Sequence, residues 1–498
     1  MRLIDKHAHA TRQAIPRWIA THPVATLVGV FTASRLYYWA IGIRFDDSTI
    51  VNFMQILDSR WLQERLAETL FYTHSQPPLL NLLIGVVLKL SARHATALFA
   101  LIFLALGLLL IISLHQLMLE LRVPPALALI TSVLFCVSPA TIIYENWLFY
   151  TYPVTSLLTA AFWLFSRFSR RGAWLDGLLC SGLLAAVALF RAPYHLAWVI
   201  GLIALAWMFS PRATAWAKIL MLLPCLLVFG WCLKNLLVFG SFSASSWFGM
   251  NWYTPIAKYF PATSRDVLVA EGRLRVTALP WLPLTAYGEY TARPEFEGIP
   301  SLTATQKTSG VPNFNHYAYI EISQRFMHDD LIILRECPIC YSRAVAEAIQ
   351  VYLRSATDDI ILYYSLNNMT VTAPIRWVFD NVLYGRALSL VISGANDWGG
   401  DAYPVLLVGI PTVLAASGLI LLGLLWRQDD LAGPLLGVWL TSMFISAAYC
   451  SADLLENNRY RYEVDPLLFS LAVFVAWQAY QRFRRPSRTR IAPERNTV

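Results

Sequence analysis

Two adjacent carboxylates, Asp46 and Asp47, follow the first long apolar stretch of the chain and precede a segment whose apolar residues recur at helical spacing. A carboxylate within hydrogen-bond reach of a hydroxyl can take its proton as a general base. Further on, His74 and Gln76 stand directly before Pro77–Pro78. A simpler interpretation stays open, in which the acids cap one helix and the prolines begin the next.

Polar side chains also stand near the ends of the other apolar stretches, where they could act together. They are Arg35, Glu145, Arg191, His195, Lys234, Asn235, Asn251, Lys258, Glu456, Arg459 and Arg461. Each has a local explanation as a snorkelling cation, a helix cap or an interfacial anchor. Because ionisable groups are costly to bury in lipid, they are also functional candidates. As a set they suit an anionic ligand that is held by cations beside a carboxylate base.

The elements that must position these residues are membrane helices. The chain has 498 residues, of which 57% are hydrophobic and 14% charged, whereas soluble domains carry about 25% charged residues. We therefore predict an all-α, polytopic membrane protein. The net charge of +8 gives no indication of nucleic-acid binding, because Arg170, Arg171 and the group Arg482–Arg490 flank apolar stretches and mark a cytoplasmic side. The first apolar stretch is expected to be an uncleaved anchor.

The basic clusters also predict the topology. Both fall inside only if the short stretch Pro77–Leu90 does not cross the membrane, which leaves about ten spans and both termini inside. The chain then divides into a membrane module (1–239) with a juxtamembrane segment (44–95), an extracytoplasmic loop domain (240–403), and C-terminal helices with a basic tail (404–498). The loop domain should fold against the membrane part, because it contains Trp247, Trp252, Tyr253 and Trp281.

Two short motifs lie in this loop domain. Cys337-Pro-Ile-Cys340 could form a disulfide in an oxidising compartment, and otherwise we expect both cysteines to be dispensable. A zinc site would need two further ligands, and a redox site would need a thioredoxin-like context that the sequence lacks. Asn368-Met-Thr matches a glycosylation triplet.

Several of these motifs occur in an order that is familiar from one family. After the Asp46-Asp47 pair, His74-Ser-Gln-Pro-Pro-Leu79 is similar to a His-x-Pro-Pro-Leu segment, with one additional residue. Lys234-Asn235, Phe239-Gly240 and Ser245-Ser246-x-x-Gly249-x-Asn251 are similar to an Arg-Asn, Phe-Gly, Ser-x-x-Gly-x-Asn series. Glu456-x-x-Arg459-Tyr460-Arg461 with Pro466 is similar to a late Glu-x-x-Arg-x-Arg…Pro signature. The chain thus resembles the GT-C superfamily of membrane glycosyltransferases, most closely the bacterial branch of aminoarabinose transferases and protein O-mannosyltransferase-like enzymes.

The resemblance implies a GT-C-like bundle of about ten transmembrane helices with outer-face juxtamembrane helices and one large extracytoplasmic loop domain. It implies an inner-membrane enzyme that moves a sugar, with inversion, from a polyprenyl-phosphate donor to a hydroxyl of a glycan, lipid or protein on the extracytoplasmic face. Asp46 or Asp47 would be the base, where the family often has Asp-Glu. Lys234, which replaces the usual Arg, would bind the donor phosphate together with Arg191 and Arg459.

The remaining implications concern other ligands. His74 and Glu145 would contact sugar or acceptor. The scheme requires no metal, but the carboxylates of Asp46, Asp47 and Glu145 could bind Mn²⁺ or Mg²⁺.

Two other functions stay open. A ligase or polymerase of lipid-linked glycans would use a diphosphate-linked donor and an essential histidine, such as His74 or His316. A transporter or flippase of a lipid-linked sugar would be expected to have internal repeats and ionisable groups near the middle of the membrane. The sequence shows no repeat, and its polar residues collect at one predicted face.

Overall fold

A computed structural model describes residues 21–358, 362, 365–387 and 403–484, and the elements in these ranges are helical. Before the loop domain the helices span Pro23–Ala40 (α1), Thr49–Asn52 (α2), Ser59–Glu64 (α3), Leu66–Phe71 (α4), Leu79–Ser91 (α5), Ala95–Glu120 (α6), Pro125–Cys136 (α7), Pro139–Glu145 (α8), Thr151–Arg171 (α9), Trp174–Phe190 (α10), Leu196–Met208 (α11), Ala215–Leu220 (α12) and Cys225–Phe239 (α13).

The loop domain and the C-terminal part complete the architecture. The loop-domain helices span Phe248–Ala257 (α14), Ala262–Ala270 (α15), Pro300–Thr303 (α16), Ala318–Glu336 (α17), Pro338–Tyr352 (α18), Leu366–Val371 (α19) and Ala373–Val378 (α20). The last helices span Pro404–Trp426 (α21), Ala432–Ala452 (α22), Asn457–Tyr462 (α23) and Asp465–Arg484 (α24). Extended pairing in the described ranges consists of two isolated bridges, Asp46 with Trp147 and Gln306 with Pro312.

Within the described ranges, four helical stretches are long and apolar enough to cross a membrane, namely Leu79–Glu120, Ala215–Phe239, Pro404–Trp426 and Ala432–Ala452. The pair α7 and α8 adds a fifth if its bend of 56° lies within one span. The bend follows from Ser138-Pro139, because proline cannot continue the hydrogen-bond ladder and the Ser138 hydroxyl caps the new helix at Thr141 N, 3.3 Å away. These helices agree with the predicted all-α membrane class. The number of about ten spans stays a prediction.

The predicted juxtamembrane segment differs from expectation in one respect. The apolar residues from Ile50 to Trp61 recur at helical spacing, but the prediction of one amphipathic helix there is wrong. The backbone becomes extended at Phe53, and a new helix begins after Asp58. Asp58 Oδ1 accepts hydrogen bonds from the backbone N–H groups of Arg60 and Trp61, 2.9 and 3.2 Å away, and therefore caps α3. Helix α5 has 13 residues, about 20 Å of helix against a hydrocarbon core of about 30 Å. It packs on α3 and α4.

Helix α9 forms the centre of the membrane part, where it packs against α6, α10 and α22. Much of its length is buried although it carries many hydroxyl groups. Thr155, Thr159 and Ser166, for example, donate to the backbone carbonyl four residues earlier at 2.7–2.8 Å. Because these hydroxyls bond within the helix itself, α9 can be buried without leaving them unsatisfied.

The loop domain is folded and packs against the membrane part, as the sequence predicts. Its core contains Trp247, Tyr253 and Phe326, and α18 packs on α22 and α23. Helices α14 and α17 approach closely at Gly249, where a Cβ atom would lie 2.1 Å from the carbonyl oxygen of Ser323. Such contact leaves room only for glycine.

The two motifs of the loop domain have structural roles. Cys337 and Cys340 form a disulfide where α17 meets α18, which confirms the first of the two expectations for this motif. Asn368 is buried, and its side chain bonds both backbone groups of Arg44, at 3.1 Å to the nitrogen and 2.7 Å to the oxygen. The glycosylation triplet is therefore inaccessible in this fold, because its acceptor amide is enclosed by protein.

The loop domain contains a buried carboxyl group that accepts no hydrogen bond. Asp330, on α17, is fully buried, and neither of its oxygens has a hydrogen-bond partner. Its neighbour Asp329, in contrast, accepts hydrogen bonds from the backbone N–H groups of Arg275 and Val276 at 2.9–3.0 Å. Burial raises the pKa of Asp330 to about 9, and the negative charge of Asp329 adds to the shift. Asp330 therefore keeps its proton at neutral pH.

Candidate active site

The residues between α8 and α9, Asn146–Tyr150, organise the candidate site, and we call this stretch the connector. Asp46 pairs with it through the backbone, donating to Asn146 O at 2.9 Å and accepting from Leu148 N at 2.8 Å. The hydroxyl of Thr49 donates to Leu148 O at 2.7 Å. The acidic segment therefore runs beside the connector, although about 100 positions of sequence separate them.

The two acids keep partly exposed side chains. Asp46 Oδ1 accepts from the backbone N–H of Ser48 at 3.0 Å, which forms a local turn. Asp47 Oδ2 accepts from the hydroxyl of Thr96 at 2.6 Å. Each carboxylate is thus oriented by one hydrogen bond and still reaches solvent, as a base that meets an incoming hydroxyl must.

Glu145, directly before the connector, is bound to Arg35 instead of being open to a ligand. The guanidinium of Arg35 donates to both carboxylate oxygens, at 2.8 Å from Nε and 2.6 Å from Nη2. Tyr152 donates to the same carboxylate at 2.6 Å, and Glu145 is buried. The predicted contact of Glu145 with sugar or acceptor would require this pair to open. Its observed role is to fix the start of the connector, because a bidentate pair of this kind is strongly directional.

Arg191 lies in a buried aromatic enclosure that includes Tyr150 of the connector. Its Nε is 3.1 Å from Glu463 Oε1, and its guanidinium stands over the rings of Tyr150 and Tyr460 at 4.3 and 4.4 Å. Tyr194 donates to Glu463 at 2.9 Å. The Nη1 group of Arg191 is buried without a hydrogen-bond partner. An unpaired cationic N–H group can donate a strong hydrogen bond to an anion.

Arg459 is fully buried beside Arg191 and also contacts the connector. Its guanidinium lies 5.0 Å from the centre of the Phe149 ring, and Nη1 donates to the hydroxyl of Thr151 at 3.1 Å. Glu456 pairs with the same guanidinium. Two of the predicted phosphate-binding residues, Arg191 and Arg459, therefore meet at Tyr150.

Arg461, another of the predicted ligand-binding residues, joins two parts of the chain. It bonds Asp465 at 3.0 Å and also donates to the carbonyl oxygens of Arg354, at 2.5 Å, and of Tyr352. These carbonyls stand at the end of α18, so Arg461 connects the loop domain to the C-terminal helices. A contact of Arg461 with a ligand stays a prediction.

His74, Lys234 and Asn235 form a second cluster, where α13 meets the loop domain. His74 Nε2 lies 2.9 Å from Asn315 O, and Nδ1 lies 2.7 Å from the Ser246 hydroxyl. Since a carbonyl can only accept, Nε2 carries the proton and Nδ1 accepts from Ser246. Burial lowers the pKa of His74 to about 3, so the ring is neutral at physiological pH.

Lys234 and Asn235 of this second cluster also have partners within the protein. Lys234 donates to Thr73 O at 2.6 Å, and its ammonium stands 3.7 Å from the centre of the Trp231 ring. Asn235 donates to Ser243 O at 2.7 Å. The described hydrogen bonds and ring contacts join Lys234 to Thr73, Trp231 and Phe239, and they join His74 and Asn235 to the loop domain. None of them joins these residues to the connector. Convergence of both clusters on one cavity stays a prediction.

The other predicted site residues lie elsewhere. His195 caps α11 by accepting from Ala197 N at 3.3 Å, and Lys258 pairs with Glu347 at 2.6 Å on the loop domain. Gln76 and Asn251 keep partly exposed side chains. Among the residues that the structure describes, no group of three or more His, Cys, Asp or Glu side chains could hold a metal ion. Glu145 in particular is committed to Arg35.

Sequence reasoning missed two features of this region. The first is the aromatic enclosure of the arginines, for which the signal was the run Trp147-Leu-Phe-Tyr150. The second is an open groove of about 910 Å³ between α4, α5 and α13, whose lining includes Leu66, Leu70, Phe71, Leu82, Lys89 and Trp231. None of the predicted site residues lines it.

No protein-family model matches this chain, and no curated protein is significantly similar to it in sequence.

Proposed function

We propose that this chain is a membrane glycosyltransferase that moves a sugar from a polyprenyl-phosphate donor to an acceptor hydroxyl, with inversion. The acceptor is a glycan, a lipid or a protein. In this proposal the protein is a GT-C-type bundle of about ten spans in an inner membrane, with its active site and loop domain on the extracytoplasmic side. Because a fold alone does not determine function, the proposal rests on the contacts of the connector.

The supporting observation is the placement of two unlike charges along one short stretch of chain. Asp46 is bonded to Asn146 and Leu148, and the next two residues, Phe149 and Tyr150, contact the guanidinium of Arg459. The acids are partly exposed and the arginine is buried. A partly exposed base and a buried cation along one stretch of chain suit the transfer of a sugar away from an anionic leaving group.

The reaction would proceed as one displacement. Asp46 or Asp47 takes the proton of the acceptor hydroxyl, whose oxygen then attacks the anomeric carbon of the donor. The bond between that carbon and the phosphate oxygen breaks, and the polyprenyl phosphate leaves with the electron pair. Attack opposite to the leaving group inverts the anomeric centre. The unpaired Nη1 group of Arg191 would stabilise the charge that develops on phosphate.

The alternatives receive less support from these contacts. A ligase or polymerase that relies on His74 would need an accessible ring, but both of its nitrogens are hydrogen-bonded and the residue is buried. A transporter would use ionisable groups that change partners between two states. The pair of Arg35 and Glu145 could serve in this way, and transport of a lipid-linked sugar remains the second candidate.

The test compares Asp46→Asn and Asp47→Asn with the unchanged protein in membrane vesicles that contain polyprenyl-phosphate-linked sugars. Release of polyprenyl phosphate is followed by mass spectrometry. Loss of the base should lower turnover by a factor of about 10² or more, while donor binding stays largely intact because the base acts in the transition state. Asp266→Asn, an exposed acid on α15, is the matched control. Near-normal release by both variants would refute the proposal, and sugar transport without release would favour the second candidate.

A further inference from the structure

One segment of the loop domain is arranged with its apolar side outward. It consists of α20 and the π-helical turn Phe379–Leu383 that follows it. The most exposed large side chains are Trp377 (62%), Val378 (45%), Val382 (63%) and Leu383 (49%). Asp380 between them is only 8% exposed. A helix that faces water shows the opposite pattern, with polar residues outside and apolar residues inside.

The exposed residues form one face. Trp377 and Val378 precede Val382 and Leu383 by five residues, which is the spacing of the i→i+5 hydrogen bonds of the π-helical turn that follows α20. Ile375, in contrast, is partly buried and packs against the cluster of Tyr38, Ile43 and Ile142 near the end of α1. The segment therefore buries one side against the protein and presents a continuous apolar face on the other.

Both ends of the segment are attached to the same boundary of the membrane part. At the N-terminal end, Asn368 bonds the backbone of Arg44, four residues after α1 ends. At the C-terminal end, Val405 N donates to Tyr384 O at 3.2 Å. Val405 stands in the first turn of α21, one of the helices long enough to cross a membrane. The segment thus lies between the end of one apolar helix and the beginning of another.

The apolar face continues onto both of these helices. Large exposed apolar residues there are Leu36, Tyr37, Trp39, Val405, Leu407 and Val408. Tryptophan and tyrosine are enriched at membrane–water interfaces, where an amphipathic ring fits the level of the headgroups. Trp39 and Trp377 both satisfy this description at the same boundary.

We propose that residues 373–383 form an interfacial element whose apolar face, with Trp377 and Val382, inserts into the lipid at this boundary. The occupant of the face is the bilayer itself, at the level between headgroups and acyl chains. Lipid explains why the apolar side chains are exposed while Asp380 is turned inward. The proposal is independent of the enzymatic proposal, because it concerns the surface of the protein and not its chemistry.

The lipid contact also has a structural consequence for the candidate site. Asn368, on the helix α19 that directly precedes this element, bonds the backbone of Arg44, which is two residues before Asp46. An element held by the membrane surface therefore also holds the chain that carries the acids. The position of Asp46 relative to the bilayer would then be set by the segment 366–383 together with α1.

The test places a nitroxide label at Val382→Cys in the full-length protein, reconstituted in vesicles of phosphatidylethanolamine and phosphatidylglycerol. The five cysteines outside the disulfide are buried, so the introduced thiol is the one that reacts. Relaxation of the label by oxygen, which concentrates in lipid, is compared with relaxation by a water-soluble nickel chelate. Val267→Cys is the matched control, because this valine is 55% exposed on α15 of the loop domain.

We expect oxygen to relax the Val382 label more than the nickel chelate does, and the reverse order for the Val267 label. If both labels respond alike with preference for nickel, the face is in water and the proposal is wrong. A label shielded from both reagents would indicate a protein on this face, a second copy or another partner, and would also overturn it. Val378→Cys repeats the measurement on the same face if Val382→Cys fails to fold.

Discussion

The buried carboxyl of Asp330 should make the loop domain lose stability as the pH rises. In the unfolded chain an aspartate titrates near pH 3.9, whereas burial raises the pKa of Asp330 to about 9 in the folded state. Between these values the unfolded state has lost the proton that the folded state keeps, so each pH unit costs about 1.4 kcal/mol of folding free energy. From pH 5 to pH 8 the accumulated loss is about 4 kcal/mol.

Asp330→Asn removes this dependence, because an amide does not titrate. The loop domain of the variant should gain stability over the unchanged protein by about 4 kcal/mol more at pH 8 than at pH 5. Pulse proteolysis of the loop domain in membranes, at a series of denaturant concentrations, measures this difference. Taking the difference between the two proteins cancels the titration of other groups, such as His316, whose pKa burial lowers to about 4.

Asp266→Asn serves as the control for the charge change, because this acid is exposed on α15. Its pH dependence should follow that of the unchanged protein. The reasoning fails if Asp330→Asn and the unchanged protein lose stability in parallel between pH 5 and pH 8. That result would mean that Asp330 is ionised in the folded state and is compensated by a partner.

Two further substitutions test contacts that hold the molecule together. Gly249→Ala should destabilise the loop domain by several kcal/mol, because its Cβ would lie 2.1 Å from Ser323 O. Gly201→Ala is the control, because a Cβ atom there would have nothing within 4 Å. Equal protease resistance of the two variants would contradict the close contact between α14 and α17. Glu145→Gln should lower the free energy of unfolding of the purified protein by about 3–5 kcal/mol, because Arg35 keeps its charge without a counter-ion. A change below about 0.5 kcal/mol would show that the pair is replaced by water or lipid phosphate.

Composition and local pattern predicted the helical class and a folded loop domain because both depend on properties of single segments. Trp247 and Tyr253, two of the aromatic residues that predicted a folded loop domain, are buried in its core. The break at Asp58 was missed because a capping residue inside an apolar period looks like any other polar position.

The composition of the site could be predicted only in part, because its contacts join distant positions. The pair of Arg35 and Glu145 spans 110 residues, and the bond from Arg459 to Thr151 spans 308. The sequence identified the charged residues as unusual but could not assign partners to them. The ring of His74 is hydrogen-bonded to Ser246 and Asn315, and no local pattern reveals these partners because the loop domain supplies them.

The short helix α23 contacts regions that are synthesised long before it. Arg459 reaches Thr151, Tyr462 stacks on Tyr144 at 4.5 Å, and Asn458 donates to Ser355 O at 2.8 Å. The connector therefore remains without these contacts until α23 has been synthesised. Insertion of the earlier helices cannot complete the buried centre, because the residues of α23 that fill it follow them in the chain. Completion of this centre consequently requires α23 to pack against the N-terminal module and the loop domain together.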